Sequence, residues 1–92
     1  MTTQAQVVLP PVTSAELRML EMIDYLGGGT AGSLGRVLYN KPPRLAGSPA
    51  ARLLHRLCSK DLVCFYLEED GKTLWFPTAR GRLLMYRSRY QS

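Results

Sequence analysis

Groups that carry catalysis or bind metals are scarce in this sequence. It has a single histidine, His55, and its two cysteines, Cys58 and Cys64, lack the Cys-x-x-Cys spacing of a zinc site. No nucleophile has a visible base beside it. We therefore expect a protein that is not an enzyme, that uses no metal or cofactor, and whose cysteines are buried and reduced.

Long apolar runs are also missing. None approaches the roughly 20 residues that a membrane-spanning helix needs. The first residues, MTTQAQVVLPP, lack the charged start and the long apolar stretch of a secretion signal. We expect a soluble, cytoplasmic protein with no membrane partner. The length suits one compact domain without a separate sensing domain, so no small-molecule ligand is evident.

Acidic residues are outnumbered by basic ones. Seven Asp and Glu stand against twelve Lys and Arg, which gives a net charge of +5. This balance favours a polyanionic partner.

Apolar spacing predicts three helices before any strand. The first is capped by Ser14 and ends at the three glycines of 27–29, and a shorter second helix covers Ala31 to Tyr39. The prolines at 42 and 43 exclude a helix through residues 40–47. We therefore predict that the third helix begins at Ser48, with Pro49 in its first turn, and covers residues 48–60.

A hairpin and a last helix follow. Residues 62–67 (LVCFYL) and 73–76 (TLWF) are rich in branched and aromatic residues, which predicts two strands. Asp70-Gly71 between them predicts a tight turn. Pro77 ends the second strand, and Thr78 can cap a fourth helix that covers residues 79–90.

Two sequence blocks, LCSKDLV at 57–63 and WFPTARGRLL at 75–84, resemble bacterial or phage winged helix-turn-helix regulators of the broad MarR-like and PadR-like group. The resemblance implies an α+β winged helix-turn-helix, with three helices, a two-stranded β-hairpin wing and a C-terminal helix. Residues 1–12 are then a flexible N-terminal arm and residues 13–92 the winged domain. Asp61 stands where these families usually have glycine, but Asp tolerates a left-handed backbone.

The resemblance also implies a function. In such proteins the third helix enters the major groove of double-stranded DNA, so we expect a sequence-specific transcriptional regulator that uses the helix at 48–60. Arg52 is the first candidate for a base contact, since a guanidinium can bind guanine through two hydrogen bonds. The predicted DNA-binding residues are Arg36, Lys41, Arg44, Ser48, Arg52, His55, Arg56 and Lys60. For each of them the alternative is an ordinary solvated side chain.

The wing gives a contrary signal. Glu68, Glu69 and Asp70 occupy its turn, and acidic groups should avoid DNA. A winged protein-interaction or assembly module that does not bind DNA therefore stays open, with an exposed Leu53 as one contact, and RNA binding is a further class.

Winged domains that bind duplex DNA generally pair, so we expect a homodimer. The interface would use Met85, Tyr86, Tyr90 and the apolar part of the N-terminal arm. The alternative is that these side chains complete the core of a monomer.

Overall fold

The computed structural model describes residues 9–90. Four helices and two strands follow one another along the chain: α1 (Ser14–Leu26), α2 (Ala31–Tyr39), α3 (Pro43–Ser59), β1 (Val63–Leu67), β2 (Thr73–Pro77) and α4 (Ala79–Tyr90). This is the order of a winged helix-turn-helix. The predicted α+β fold class is therefore confirmed.

The first helix is capped one residue earlier than predicted. The Thr13 hydroxyl accepts a hydrogen bond from the Glu16 N–H (3.1 Å), and the Glu16 carboxylate accepts one from the Thr13 N–H (3.2 Å). This reciprocal pair satisfies two N–H groups that the helix leaves without partners. The prediction that Ser14 is the cap was wrong because Glu lies three residues after Thr13, not after Ser14.

The third helix begins five residues before the predicted start at Ser48. Its first residue is Pro43, and only Asn40, Lys41 and Pro42 separate it from α2. A proline at the first helical position loses no hydrogen bond and excludes only the residue before it from the helix. The prediction of a long connection over 40–47 was therefore wrong, and Pro49 lies inside the helix.

The two strands of the wing are antiparallel, with Tyr66 opposite Leu74 and Phe65 opposite Trp75. Trp75 donates its backbone N–H to the Gly29 carbonyl (2.8 Å) and accepts the Gly29 N–H (3.1 Å). Strand β2 thus lies between β1 and Gly29. The predicted turn is confirmed: Gly71 has φ 84°, and the Glu68 N–H closes the loop on the Lys72 carbonyl.

The two blocks that carry the family resemblance contact each other at the start of the wing. Asp61 has φ 60°, the left-handed conformation expected there. The Thr78 hydroxyl donates to the Asp61 carbonyl (2.7 Å) and also caps α4, where it accepts the Gly81 N–H. Gly81 packs so closely on the Leu62 carbonyl that a β-carbon would not fit.

The core lies between all four helices and the wing. Two predictions about exposed residues fail there: Leu53 is 2% exposed and Met85 is 3% exposed, so neither offers a surface contact. Leu9 and Val12 pack against the core, whereas residues 1–8 of the predicted arm lie outside the described part of the chain. The core residues are Met19, Leu20, Ile23, Leu34, Ala50, Leu53, Leu54, Leu57, Leu62, Val63, Trp75, Leu84 and Met85.

Candidate nucleic-acid interface

The outer side of α3 carries a basic stripe. Arg44, Ser48, Arg52 and Arg56 follow one another at intervals of four, so they lie along one side of the helix. All four are exposed, while the opposite side is buried in the core. With 17 residues the helix is about 25 Å long, enough to present this stripe over several base pairs.

The early start of α3 changes which residues lie at its N-terminus. Arg44 is in the first turn, and Ser48 is one turn further on and does not cap the helix. The positive end of the helix dipole therefore lies beside Arg44 and Lys41, not beside Ser48. The residues nearest the positive end of α3 are therefore those around Arg44.

A depression at the α2–α3 turn is lined by two more positively charged side chains. Arg36 near the end of α2 and Lys41 in the turn both line it, together with Asn40 and Pro42. Both cations are exposed. The turn thus places two positive groups beside the first turn of α3, where the sequence predicted contacts with the phosphate backbone.

His55 is held by the wing. Its ring meets the indole of Trp75 edge-on, with 5.1 Å between ring centres and an angle of 87°. Trp75 is 3% exposed and fixed in the core, while His55 is open to solvent on its other side. This contact connects the exposed side of α3 to β2 and limits the positions available to His55.

The surface on either side of His55 includes residues that sequence reasoning missed. A groove of about 300 Å³ separates α3 from the wing. Thr30 lies there beside Gly29, whose backbone pairs with Trp75 from a distant part of the chain. The residues that line the groove are Thr30, Ala31, Ala51, His55, Lys72, Thr73 and Trp75. On the other side of His55, Tyr39 lies with Pro49, Arg52 and Arg56.

Lys60 does not join this surface. Its ammonium group lies 2.8 Å from the Glu16 carboxylate and 2.9 Å from the Pro11 carbonyl. Burial raises the pKa of Glu16, but hydrogen bonds from Lys60 and Thr13 outweigh it, so the pKa is lowered overall. The charge of Lys60 is therefore matched by a buried carboxylate, and its role in DNA binding stays a prediction.

The turn of the wing is acidic, as the sequence indicates. Glu69 and Asp70 are exposed, and the Lys72 ammonium lies 3.9 Å from Asp70. Within residues 62–77 the acidic side chains all lie in the turn, while the stripe on α3 and the α2–α3 turn are positive.

The described residues 9–90 contain no group of three or more His, Cys, Asp or Glu that could hold a metal ion. Both cysteines are free. Cys58 is half-buried and Cys64 is exposed, so the prediction of buried thiols was wrong for Cys64, which lies on the solvent side of β1. Across the same residues, no helix combines the length and the apolar character that a membrane span requires.

No protein-family model matches this sequence, and a search of the curated proteins gives no match. Among solved structures, the fold is similar to that of Bordetella bronchiseptica BpsR, a protein whose DNA binding is regulated by 6-hydroxynicotinic acid. The TM-score is 0.70 at 17% identity, over 83% of this chain and 55% of BpsR. This chain thus matches about half the length of BpsR. The likeness supports the winged fold and does not select between the MarR-like and PadR-like families.

Proposed function

We propose that this protein is a DNA-binding transcriptional regulator whose α3 enters the major groove of duplex DNA. The observation that carries the proposal is the exposed basic stripe on the second helix of a helix-turn-helix. The fold is shared with BpsR, which binds DNA. A net charge of +5 agrees with a polyanionic partner.

Because α3 begins at Pro43, Arg44 lies in its first turn, and we place Arg44 as well as Arg52 against the bases. Arg44 and Arg52 are the candidates for base edges, since a bidentate guanidinium–guanine pair contributes about 1–3 kcal/mol of discrimination. Arg36 and Lys41 lie beside them for phosphate contacts, which position the protein without reading sequence. Arg56, together with His55 and Ser48, would flank the base contacts.

The acidic turn of the wing fits this arrangement only if it points away from DNA. Glu69 and Asp70 lie at the far end of the hairpin, whereas Lys72 and Thr73 border the groove beside α3. We propose that the side of the hairpin that faces α3, where Thr73 begins β2, lies near the DNA backbone, and that the acidic side chains of the turn point away from it.

The test is the affinity for duplex DNA at two salt concentrations. Replacing Arg52 and Arg56 together by alanine should weaken binding at both salt concentrations, by about 1–3 kcal/mol for a lost guanine contact. The matched control replaces Arg87 and Arg89 by alanine, because both are exposed arginines on α4 and the charge removed is the same. If both double variants lost the same affinity for DNA, net charge alone would explain the effect, and the proposed role of α3 would be wrong.

Two features favoured the alternative of a protein-interaction module, an exposed Leu53 and the acidic wing, and the first of them does not hold. Leu53 is buried, so the apolar contact expected on α3 does not exist, and the acidic wing remains. A folded protein that fails to bind DNA at low salt would favour this alternative. The homodimer and the cytoplasmic location stay predictions. BpsR responds to a small molecule, so the expectation of no ligand for this chain is also open.

A further inference from the structure

The outer edge of β1 is apolar and open. Phe65, Tyr66 and Leu67 are 57%, 64% and 64% exposed, and the strand VCFYL contains no charged residue and no proline. Natural sheets usually protect an edge strand with lysine, proline or a bulge, because unpaired backbone groups there bind other strands. In the part of the chain that the structure describes, no strand pairs with this edge.

The hydrogen bonds of β2 determine which groups of β1 face outward. Trp75 directs its N–H and carbonyl to Gly29, away from β1. Its strand partner Phe65 therefore also directs its N–H and carbonyl away from β2, since such groups alternate along an antiparallel pair. The backbone N–H and carbonyl groups of Val63 and Leu67 face outward in the same way. The edge thus presents alternate, regularly spaced donors and acceptors.

We propose that β1 pairs with β1 of a second copy of this chain, antiparallel and around a two-fold axis at Phe65. In this register Val63 lies opposite Leu67 of the second copy, and Tyr66 lies opposite Cys64. Two wings then form one four-stranded sheet. Both sides of the strand are apolar, so the pairing buries apolar side chains on each side.

Charge favours a second copy in this antiparallel register. A parallel pair would place two acidic turns side by side, which is unfavourable. In the antiparallel pair, the acidic turn of one copy, with Glu69 and Asp70, lies beside the start of β1 of the other copy, next to Asp61. There Asp61 is paired with the Arg80 guanidinium at 3.5 Å, so each turn meets an ion pair instead of a second acidic turn.

The pairing has a consequence for α3. The helix lies on the side of the sheet that carries Trp75, as the contact with His55 shows. A two-fold axis perpendicular to the joint sheet keeps both copies of α3 on that side. Two recognition helices could then address one duplex, a consequence that rests on the proposed function, while the dimer itself does not.

The first test is the mass in solution by sedimentation, without DNA. The wild type should be dimeric at micromolar concentration, and Leu67→Lys should be monomeric and folded, with a melting temperature that no longer depends on protein concentration. The matched control is Val37→Lys, because Val37 is 56% exposed in the apolar groove between α1 and α2. A monomeric wild type, or a dimer broken by Val37→Lys and not by Leu67→Lys, would overturn the proposal.

The second test measures the register. Tyr66→Cys would place its thiol beside Cys64 of the second copy, at a non-hydrogen-bonded position where the α-carbons lie about 4.5 Å apart. Oxidised glutathione accepts the two electrons and should convert the thiol pair to a disulfide-linked dimer. Tyr66→Cys combined with Cys64→Ser should give none. A missing crosslink, or one that survives Cys64→Ser, would overturn the register, whereas a crosslinked dimer that does not bind DNA would count against the proposed function alone.

Discussion

The pair between Glu16 and Lys60 should make a measurable contribution to stability. Glu16 is 2% exposed, and its carboxylate accepts hydrogen bonds from both the Lys60 ammonium and the Thr13 N–H. Glu16→Gln keeps an acceptor for Thr13, because glutamine also serves in a capping box. It removes the charge that faces Lys60. The substitution therefore isolates the ion pair from the helix cap.

The expected loss follows from the exposure of the two partners. A hydrogen bond to a charged group contributes about 1.5–3 kcal/mol. The Lys60 side chain is 29% exposed and water can replace part of the interaction, so we expect the lower end, about 1.5 kcal/mol. In a domain of this size each kcal/mol lowers the melting temperature by about 4–8 °C. Urea unfolding of the wild type and of Glu16→Gln measures the difference, with Glu21→Gln on the same helix as the control.

The loss should also depend on pH. The pKa of Glu16 is lowered in the folded protein, so its contribution is present at neutral pH, above the pKa of the unfolded chain. It disappears as the pH falls through the folded-state pKa, where the carboxylate becomes protonated. Wild type and Glu16→Gln should therefore converge in acid. A difference of the same size at neutral and strongly acidic pH, or none at neutral pH, would refute the account.

Three further predictions concern backbone fit and DNA contacts. Asp61→Gly should leave stability unchanged or raise it by up to about 1 kcal/mol in urea unfolding, since φ is 60° there. Gly35→Ala should destabilise by about 1–3 kcal/mol because its β-carbon would lie 2.5 Å from a carbonyl of α3, whereas Gly47→Ala, with room at 3.8 Å, should stabilise slightly. Arg44→Ala should reduce discrimination between DNA sequences in competition binding, whereas Lys41→Ala should weaken all sequences alike.

The fold class followed from local signals in the sequence. Asp70-Gly71 between two runs of branched and aromatic residues predicts a hairpin, and the structure has it. Thr78 was expected to cap the fourth helix and does so. These features depend on interactions between a few neighbouring residues, so they can be predicted from the sequence alone.

The start of α3 shows where local signals compete. Both Pro43 and Ser48-Pro49 are acceptable helix starts, and each follows the usual rule for proline in a first turn. In the structure the helix starts early, and the added turn packs on α2, where Gly35 lies close to the backbone of Ala46. This choice moved Arg44 into the first turn of the candidate interface.

Burial and long-range pairing were decided by the tertiary structure alone. Leu53 lies at the edge of the apolar stripe of α3, and it is buried because the core closes around both sides of that stripe. Lys60 is withdrawn from the basic surface by Glu16, 44 positions earlier in the chain. The sequence determined which elements form and the basic stripe on α3, since these follow from the spacing of neighbours. Only packing decided which charges remain at the surface, because it brings distant residues into contact.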